Sequence, residues 1–255
     1  MRWSDVKSLR QSELREWFGR EIARRSRLSH PGDFCDTTLL SYPRSGNHLA
    51  RMLIETEFNR PTLGAMDSDR FRVPRWLVDC PIFLRSRLEV KIKDDKPIVI
   101  KRHDLWDIEA REFLVFLLRD PVEAILSEMQ AVPDKRFDEQ VVRETAKWTQ
   151  LANTFVTWPE EARLLVSYQT LTENPALALN ALSRFFGAGE SPDRDRDAQE
   201  EIRIRAREGL QVLIRPGKSA GSDESYAQRF PKRADRVRRL LLAQGDLTPF
   251  SGHLT

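Results

Sequence analysis

Thr37-Thr38-Leu39-Leu40-Ser41-Tyr42-Pro43-Arg44-Ser45-Gly46-Asn47-His48-Leu49 changes character twice along its length. Its first part is apolar and β-prone, and its middle carries Pro43, Ser45 and Gly46. Its last part runs into Leu49, Met52, Leu53 and Ile54, spaced like the buried face of a helix. The pattern predicts strand, tight turn, helix. Backbone N–H groups at such a helix N-terminus lack partners and point outward, and the helix dipole adds partial positive charge there. Arg44 adds a full charge. The stretch reads as an anion cradle, most naturally for phosphate; the alternative is an ordinary βα turn with a solvated Arg. It is not a Walker A loop, because the spacing Gly-x-x-x-x-Gly-Lys-Ser/Thr is absent.

Working outward, 255 residues suit one domain, 1–255, with room for a large core. Hydrophobic residues at 40% and charged ones at 32% mark a globular chain. Forty-two Lys and Arg against 39 Asp and Glu leave a net charge of only +3. Any basic function is therefore local, and no nucleic-acid partner is expected. Cys35 and Cys80 build neither a disulfide framework nor a metal cluster and read as reduced thiols. No apolar run reaches membrane-span length and the first residues lack a signal-peptide core, so the expectation is a soluble, cytoplasmic protein.

Leu9, Leu14, Trp17, Phe18, Ile22 and Leu28 predict a leading amphipathic helix over 1–30, stopped by His30-Pro31-Gly32-Asp33. Residues 59–95 are broken by Pro61, Gly64, Pro74 and Pro81, and mix Phe71, Trp76 and Phe83 with several Arg. Such a long connection is either a substrate wall or a surface excursion held by its aromatics. Residues 97–104 and 113–121 predict two further strands, the second with a continuous apolar run that suits a central parallel strand. Pro121 opens a helix, another spans about 138–157, a fourth strand covers 162–168, and Asn174-Pro175 starts the next helix. Further helices are expected over 198–214 and 230–244, with a Gly- and cation-bearing loop, Arg215-Pro216-Gly217-Lys218-Ser219-Ala220-Gly221, between them. Strands alternating with helices predict an α/β domain: a central parallel sheet with helices on both faces.

In such sheets ligands bind beyond the carboxyl ends of the strands. Those ends carry Arg44 to His48, then Lys101 and His103, then Arg119, then Tyr168. Singly, each has a structural explanation. Together, beside an anion cradle, they point to a nucleotide-using group transferase.

The chain resembles the sulfotransferases that use 3′-phosphoadenylyl sulfate (PAPS). Tyr42-Pro43-Arg44-Ser45-Gly46-Asn47-His48-Leu49 is similar to that family's 5′-phosphosulfate loop, which reads Tyr-Pro-Lys-Ser-Gly-Thr-Thr-Trp. Lys101-Arg102-His103 stands where the family has Lys-Thr-His. Arg119-Asp120-Pro121, with Ser127 eight residues after the Arg, matches its 3′-phosphate element. Tyr168 sits in the context of its adenine-contacting Tyr, and Arg215, Gly217 and Lys218 are similar to its C-terminal Arg-Lys-Gly loop. The likeness runs over about 37–222, with three departures: Arg44 for Lys, Leu49 for a stacking Trp, and Pro216 for Lys.

The resemblance implies transfer of a sulfuryl group from PAPS to a hydroxyl or amine of a small-molecule or glycan acceptor, leaving adenosine 3′,5′-bisphosphate (PAP), with no metal. It implies His103, Lys101 and Arg44 as catalytic residues. The donor would be held by Arg44, Ser45, Gly46, Asn47, His48, Arg119, Ser127, Tyr168, Arg215, Gly217 and Lys218. A histidine titrates near neutral pH and can take the acceptor's proton. Arg44 and Lys101 can neutralise the leaving oxygen. Asp104 either orients His103 or caps a turn. Two other classes stand beside this one. A P-loop kinase would need Lys-Ser/Thr where Asn47-His48 stand, and a non-catalytic nucleotide-binding protein would not need His103.

Overall fold

The computed structural model describes residues 37–64, 98–105, 108, 113–187, 204, 225–244 and 250. Expectations for the 1–30 helix, the Phe71–Arg87 region, both cysteines and the Arg215–Gly221 loop lie outside them.

Five strands form one sheet: β1 (Thr37–Ser41), β2 (Thr62–Gly64), β3 (Val99–Arg102), β4 (Phe113–Leu118) and β5 (Arg163–Ser167). Their order is β2-β3-β1-β4-β5, and every pairing is parallel. The helices are α1 (Asn47–Phe58), α2 (Pro121–Glu128), α3 (Asp134–Thr157), α4 (Tyr168–Glu173), α5 (Pro175–Phe185), α6 (Tyr226–Arg229) and α7 (Pro231–Gln244). None of these described helices is long and apolar enough to cross a membrane.

Alternation along the strands sorts side chains to two apolar layers. Leu40, Leu114, Phe116 and Leu118 pack with Ile125 of α2, Trp148 and Phe155 of α3, and Val237 and Leu241 of α7. Leu39, Val99, Val115 and Leu117 pack on the other face with Leu49, Met52 and Leu53 of α1 and Leu179 and Leu182 of α5. Both faces of the inner strands are thus dry, which is why β4 reads as an unbroken apolar run.

The α/β architecture is as the sequence predicts, with differences in its parts. The second expected strand is only Val99–Arg102, and His103 lies past its end. The fourth stops at Ser167, whose hydroxyl caps α4 by accepting from the Thr170 N–H, so Tyr168 opens a helix. α3 begins at Asp134, a turn earlier than expected.

β2 is an additional strand, three residues long and without any periodicity to betray it. Two things hold it. The Ile98 N–H donates to the Pro61 carbonyl at 2.9 Å. Thr62 is also gripped from α1. Its hydroxyl accepts from Arg51 Nε at 2.8 Å and donates to Glu55, while its N–H donates to Glu55 Oε1 at 3.1 Å. Arg51, Glu55 and Thr62 are each fully buried, so an opposite pair of charges meets through one hydroxyl. Buried ionic groups are tolerated only when their hydrogen bonds are made.

Thr62→Val removes that hydroxyl and keeps the shape. It should destabilise the protein by about 1–3 kcal/mol in urea denaturation, with Thr62→Ser retaining most of the stability. A Thr62→Val protein as stable as wild type would show that the Arg51 and Glu55 charges do not rely on Thr62.

Candidate anion and proton-transfer site

The loop between β1 and α1 is held at its start by Tyr42, which is fully buried and donates its hydroxyl to Glu144 Oε2 of α3 at 2.8 Å. Burial, and next the Glu144 carboxylate, push the phenol far above its ordinary range. The Ser45 N–H donates to the Tyr42 carbonyl at 3.3 Å, closing the turn. Arg44 and Gly46 then both take positive φ, 68° and 86°. For Arg44 this left-handed backbone is a local strain. For Gly46 it is free of that cost, and there is a second reason for glycine. A Cβ at position 46 would lie 2.6 Å from Cδ2 of Tyr168.

α1 starts without a side-chain cap, its N-cap being Gly46. By contrast α2, α4, α5 and α6 are capped by the side chains of Asp120, Ser167, Asn174 and Ser225. At α2 the Asp120 carboxyl is pushed up by burial, against the pull of the Glu123 N–H it accepts from. The N-terminal donors of α1 are thus left for something other than a capping side chain.

Four strand ends converge around this loop. β4 ends into Arg119, whose Nη1 donates to the Arg44 carbonyl at 2.8 Å. Its guanidinium lies 4.9 Å from the centre of the Tyr168 ring, which follows β5. Nη2 stands 3.8 Å from Glu123 Oε2. Tyr168 is therefore in contact with both Gly46 and Arg119. Glu123 also accepts from the Tyr226 and Ala227 N–H groups at 3.0 and 2.8 Å, docking the N-terminus of α6 beside Arg119. The Arg44 side chain reaches α2, where its Nε donates to Glu128 Oε2 at 3.1 Å.

At the end of β3, Lys101 sits beside Leu39 in register and is buried. His103, two residues on, shares its face and lies opposite Ser41. Ring Nδ1 is 2.7 Å from the Ser41 carbonyl oxygen and 3.2 Å from its hydroxyl, and Nε2 is 3.5 Å from Asn47 Nδ2. A carbonyl oxygen only accepts, so Nδ1 carries the proton. In the neutral ring, Nε2 then holds the lone pair. That is the tautomer a general base needs at Nε2.

Through these contacts the structure joins Arg44, Gly46, Arg119 and Tyr168 in one group, and Asn47 with His103 in another at the head of the same helix. Ser45 and Ser127 are buried nearby in sequence, the first in the loop and the second on the last turn of α2 next to Glu128. Arg215, Gly217 and Lys218 lie outside the described residues. Sequence reasoning weighed Asp104 as the residue that orients His103; the acceptor at 2.7 Å is the Ser41 carbonyl. It missed Ser41 because a backbone group across a parallel register leaves no residue-type signal. It missed Glu128 and Glu123 because their roles depend on how α2 faces the loop.

No family model and no curated protein matches the chain. Among solved structures, a mouse sulfotransferase, SULT7A1, complexed with PAP superposes with a TM-score of 0.50 at 13% identity, over 86% of this chain and 87% of that one. The sulfotransferase domain of the Synechococcus PCC 7002 olefin synthase gives 0.41 at 13% identity, over 71% and 95%. A sulfotransferase from Alicyclobacillus acidocaldarius gives 0.35 at 12%, over 70% and 93%. The SULT7A1 likeness shows that the chain has a sulfotransferase fold.

Gly46→Ala should destabilise the protein by about 1–2 kcal/mol through its backbone alone, with an added overpacking cost of about 1–3 kcal/mol against Tyr168. Tyr168→Ala in the Gly46→Ala background should recover the overpacking part, giving a coupling of at least about 1 kcal/mol in a double-mutant cycle. Strict additivity would mean that the ring does not seal against Gly46.

Proposed function

We propose that this chain is a PAPS-dependent sulfotransferase acting on a hydroxyl or amine of a small-molecule or glycan acceptor, with His103 as the general base. The observation that carries the reading is the His103 ring. Its Nδ1 proton is committed to the Ser41 carbonyl, and its basic nitrogen faces the first residue of an uncapped helix N-terminus. A proton acceptor and an anion cradle at one strand–helix junction are what transfer of an anionic group to a protic acceptor requires.

The residues fit the donor. The start of α1, which no side chain caps, suits its 5′-phosphate end, and Ser45 and His48 belong to the same segment. Arg119 has five N–H groups; one donates to the Arg44 carbonyl, and Glu123 stands 3.8 Å from Nη2 as an ion pair. The rest of its fork, with Ser127, suits the 3′-phosphate. Arg215, Gly217 and Lys218 are assigned beside them by motif likeness alone. Tyr168 supplies a ring for the adenine. The neighbour solved with PAP supports this class of ligand. When bound, the donor supplies an activated sulfuryl group. The chain's own work is to place it, to take the acceptor proton at His103 Nε2, and to set the charges of Lys101 and Arg44 against the oxygen that becomes negative. Arg44 leaves Glu128 to do so; the pair is a half-exposed one, worth about 0–1 kcal/mol.

Two results follow. The protein should bind adenosine 3′,5′-bisphosphate at least about a hundredfold more tightly than adenosine 5′-phosphate. Two charge-assisted bonds at about 1.5–3 kcal/mol each account for it. Equal affinities by calorimetry would remove the 3′-phosphate role from Arg119 and Ser127. His103→Ala should lose about 10²–10⁴-fold in turnover with donor affinity within a few-fold. A variant that melts lower but turns over normally per folded molecule would make His103 a structural residue only.

A further inference from the structure

Asn47 is buried, and its Oδ1 has no hydrogen-bond partner although its Nδ2 stands 3.5 Å from His103 Nε2. The carboxamide thus leaves its oxygen unsatisfied, which costs stability, while its nitrogen faces the ring. The reason lies across the imidazole. Nδ1 gives its proton to the Ser41 carbonyl, so Nε2 presents a lone pair, and only an N–H can face it. Turning the carboxamide over would set Oδ1 against that lone pair. The Ser41 carbonyl therefore dictates, through the ring, that position 47 offers a donor beside the base.

We propose that Asn47 is a specificity-determining residue whose Nδ2–H receives the nucleophilic atom of the acceptor and favours a hydroxyl over an amine. This rests on the sulfotransferase reading of the site. An oxygen about 2.9 Å from each nitrogen closes a triangle on the 3.5 Å separation between Nδ2 and Nε2. A hydroxyl fills that place completely. It gives its proton to Nε2. One lone pair forms the new bond to sulfur as the bond from sulfur to the nucleotide oxygen breaks, that electron pair departing with the nucleotide. The second lone pair takes the Nδ2 hydrogen. A neutral amine has one lone pair, which the new bond consumes, so the Nδ2–H is left facing an N–H or nothing. Sites built to hydrogen-bond a particular group reject the analogue that cannot match it.

Two measurements test this. The first is nitrogen-15 NMR of the His103 ring in the free protein. Wild type should show a protonated Nδ1 and an Nε2 lone pair that accepts a hydrogen bond. Asn47→Ala should shift the Nε2 resonance in the direction of a lost hydrogen bond and leave Nδ1 protonated. An unmoved Nε2 resonance overturns the proposal. The second is kcat/KM on matched hydroxyl and amine acceptors of one scaffold with labelled donor. Wild type should favour the hydroxyl at least tenfold and Asn47→Ala only a few-fold. Asn47→Asp, which can only accept, should lose hydroxyl transfer more than amine transfer. Transfer with the same ratio in wild type and Asn47→Asp overturns the role of Asn47 alone. Transfer to neither acceptor by wild type overturns the sulfotransferase reading, and this role with it.

Discussion

The parallel pairing of β1 between β3 and β4 is the constraint on which the site depends. Its register sets Leu39 beside Lys101 and Val115, and Ser41 beside Leu117. Just past the end of β3, His103 reaches Ser41, whose carbonyl takes the imidazole proton. β1 also marks the place where the strand order reverses, with β3 and β2 on one side and β4 and β5 on the other. At such a switch the connections diverge to opposite faces and a crevice opens above the strand ends. One set of backbone hydrogen bonds therefore decides both where an anion can sit and which nitrogen of His103 is basic.

The loop above β1 is tied to its surroundings from three directions. Tyr42 anchors it below, into the layer containing α3. Arg119 grips the Arg44 carbonyl from the end of β4, and Tyr168 closes over Gly46 from the start of α4. These contacts offset the strain of a left-handed Arg44. They also connect the proposed ends of the donor site. The guanidinium assigned to the 3′-phosphate holds the backbone of the residue assigned to the sulfuryl end. Glu123 then links that guanidinium to the N-terminus of α6. Displacing Arg119 or Tyr168 shifts the loop, because each holds its backbone directly.

Polar groups buried near the site fall into two kinds. Thr62 bonds to both Arg51 and Glu55, and together they hold an edge strand whose Gly64 stands in register with Lys101. Asn47 is left with an unsatisfied oxygen. Interiors tolerate few such atoms, and this one sits at the head of the helix where an anion and a protic acceptor would meet. The first three build the platform under β3, and Asn47 stands beside the His103 ring.

The order of strands and helices, the buried character of β4, and the turn at Pro43 to Gly46 were legible in the sequence because each is a local pattern. Apolar period, proline at a helix start and glycine at a turn act over a few residues. Arg44, Lys101, His103, Arg119 and Tyr168 could be nominated from chain position alone, since parallel sheets bring successive strand ends to one edge. What the chain could not state locally, the tertiary structure decided. β2 is held by its pairing with β3 and by the grip of α1 on Thr62. Gly46 is required by Tyr168 as well as by its own φ. His103 takes its tautomer from a carbonyl in another strand, and Asn47 takes its orientation from His103. Each of these rests on a contact between residues far apart in sequence, set by register and by which way a helix faces, and neither quantity is written in any short stretch of residues.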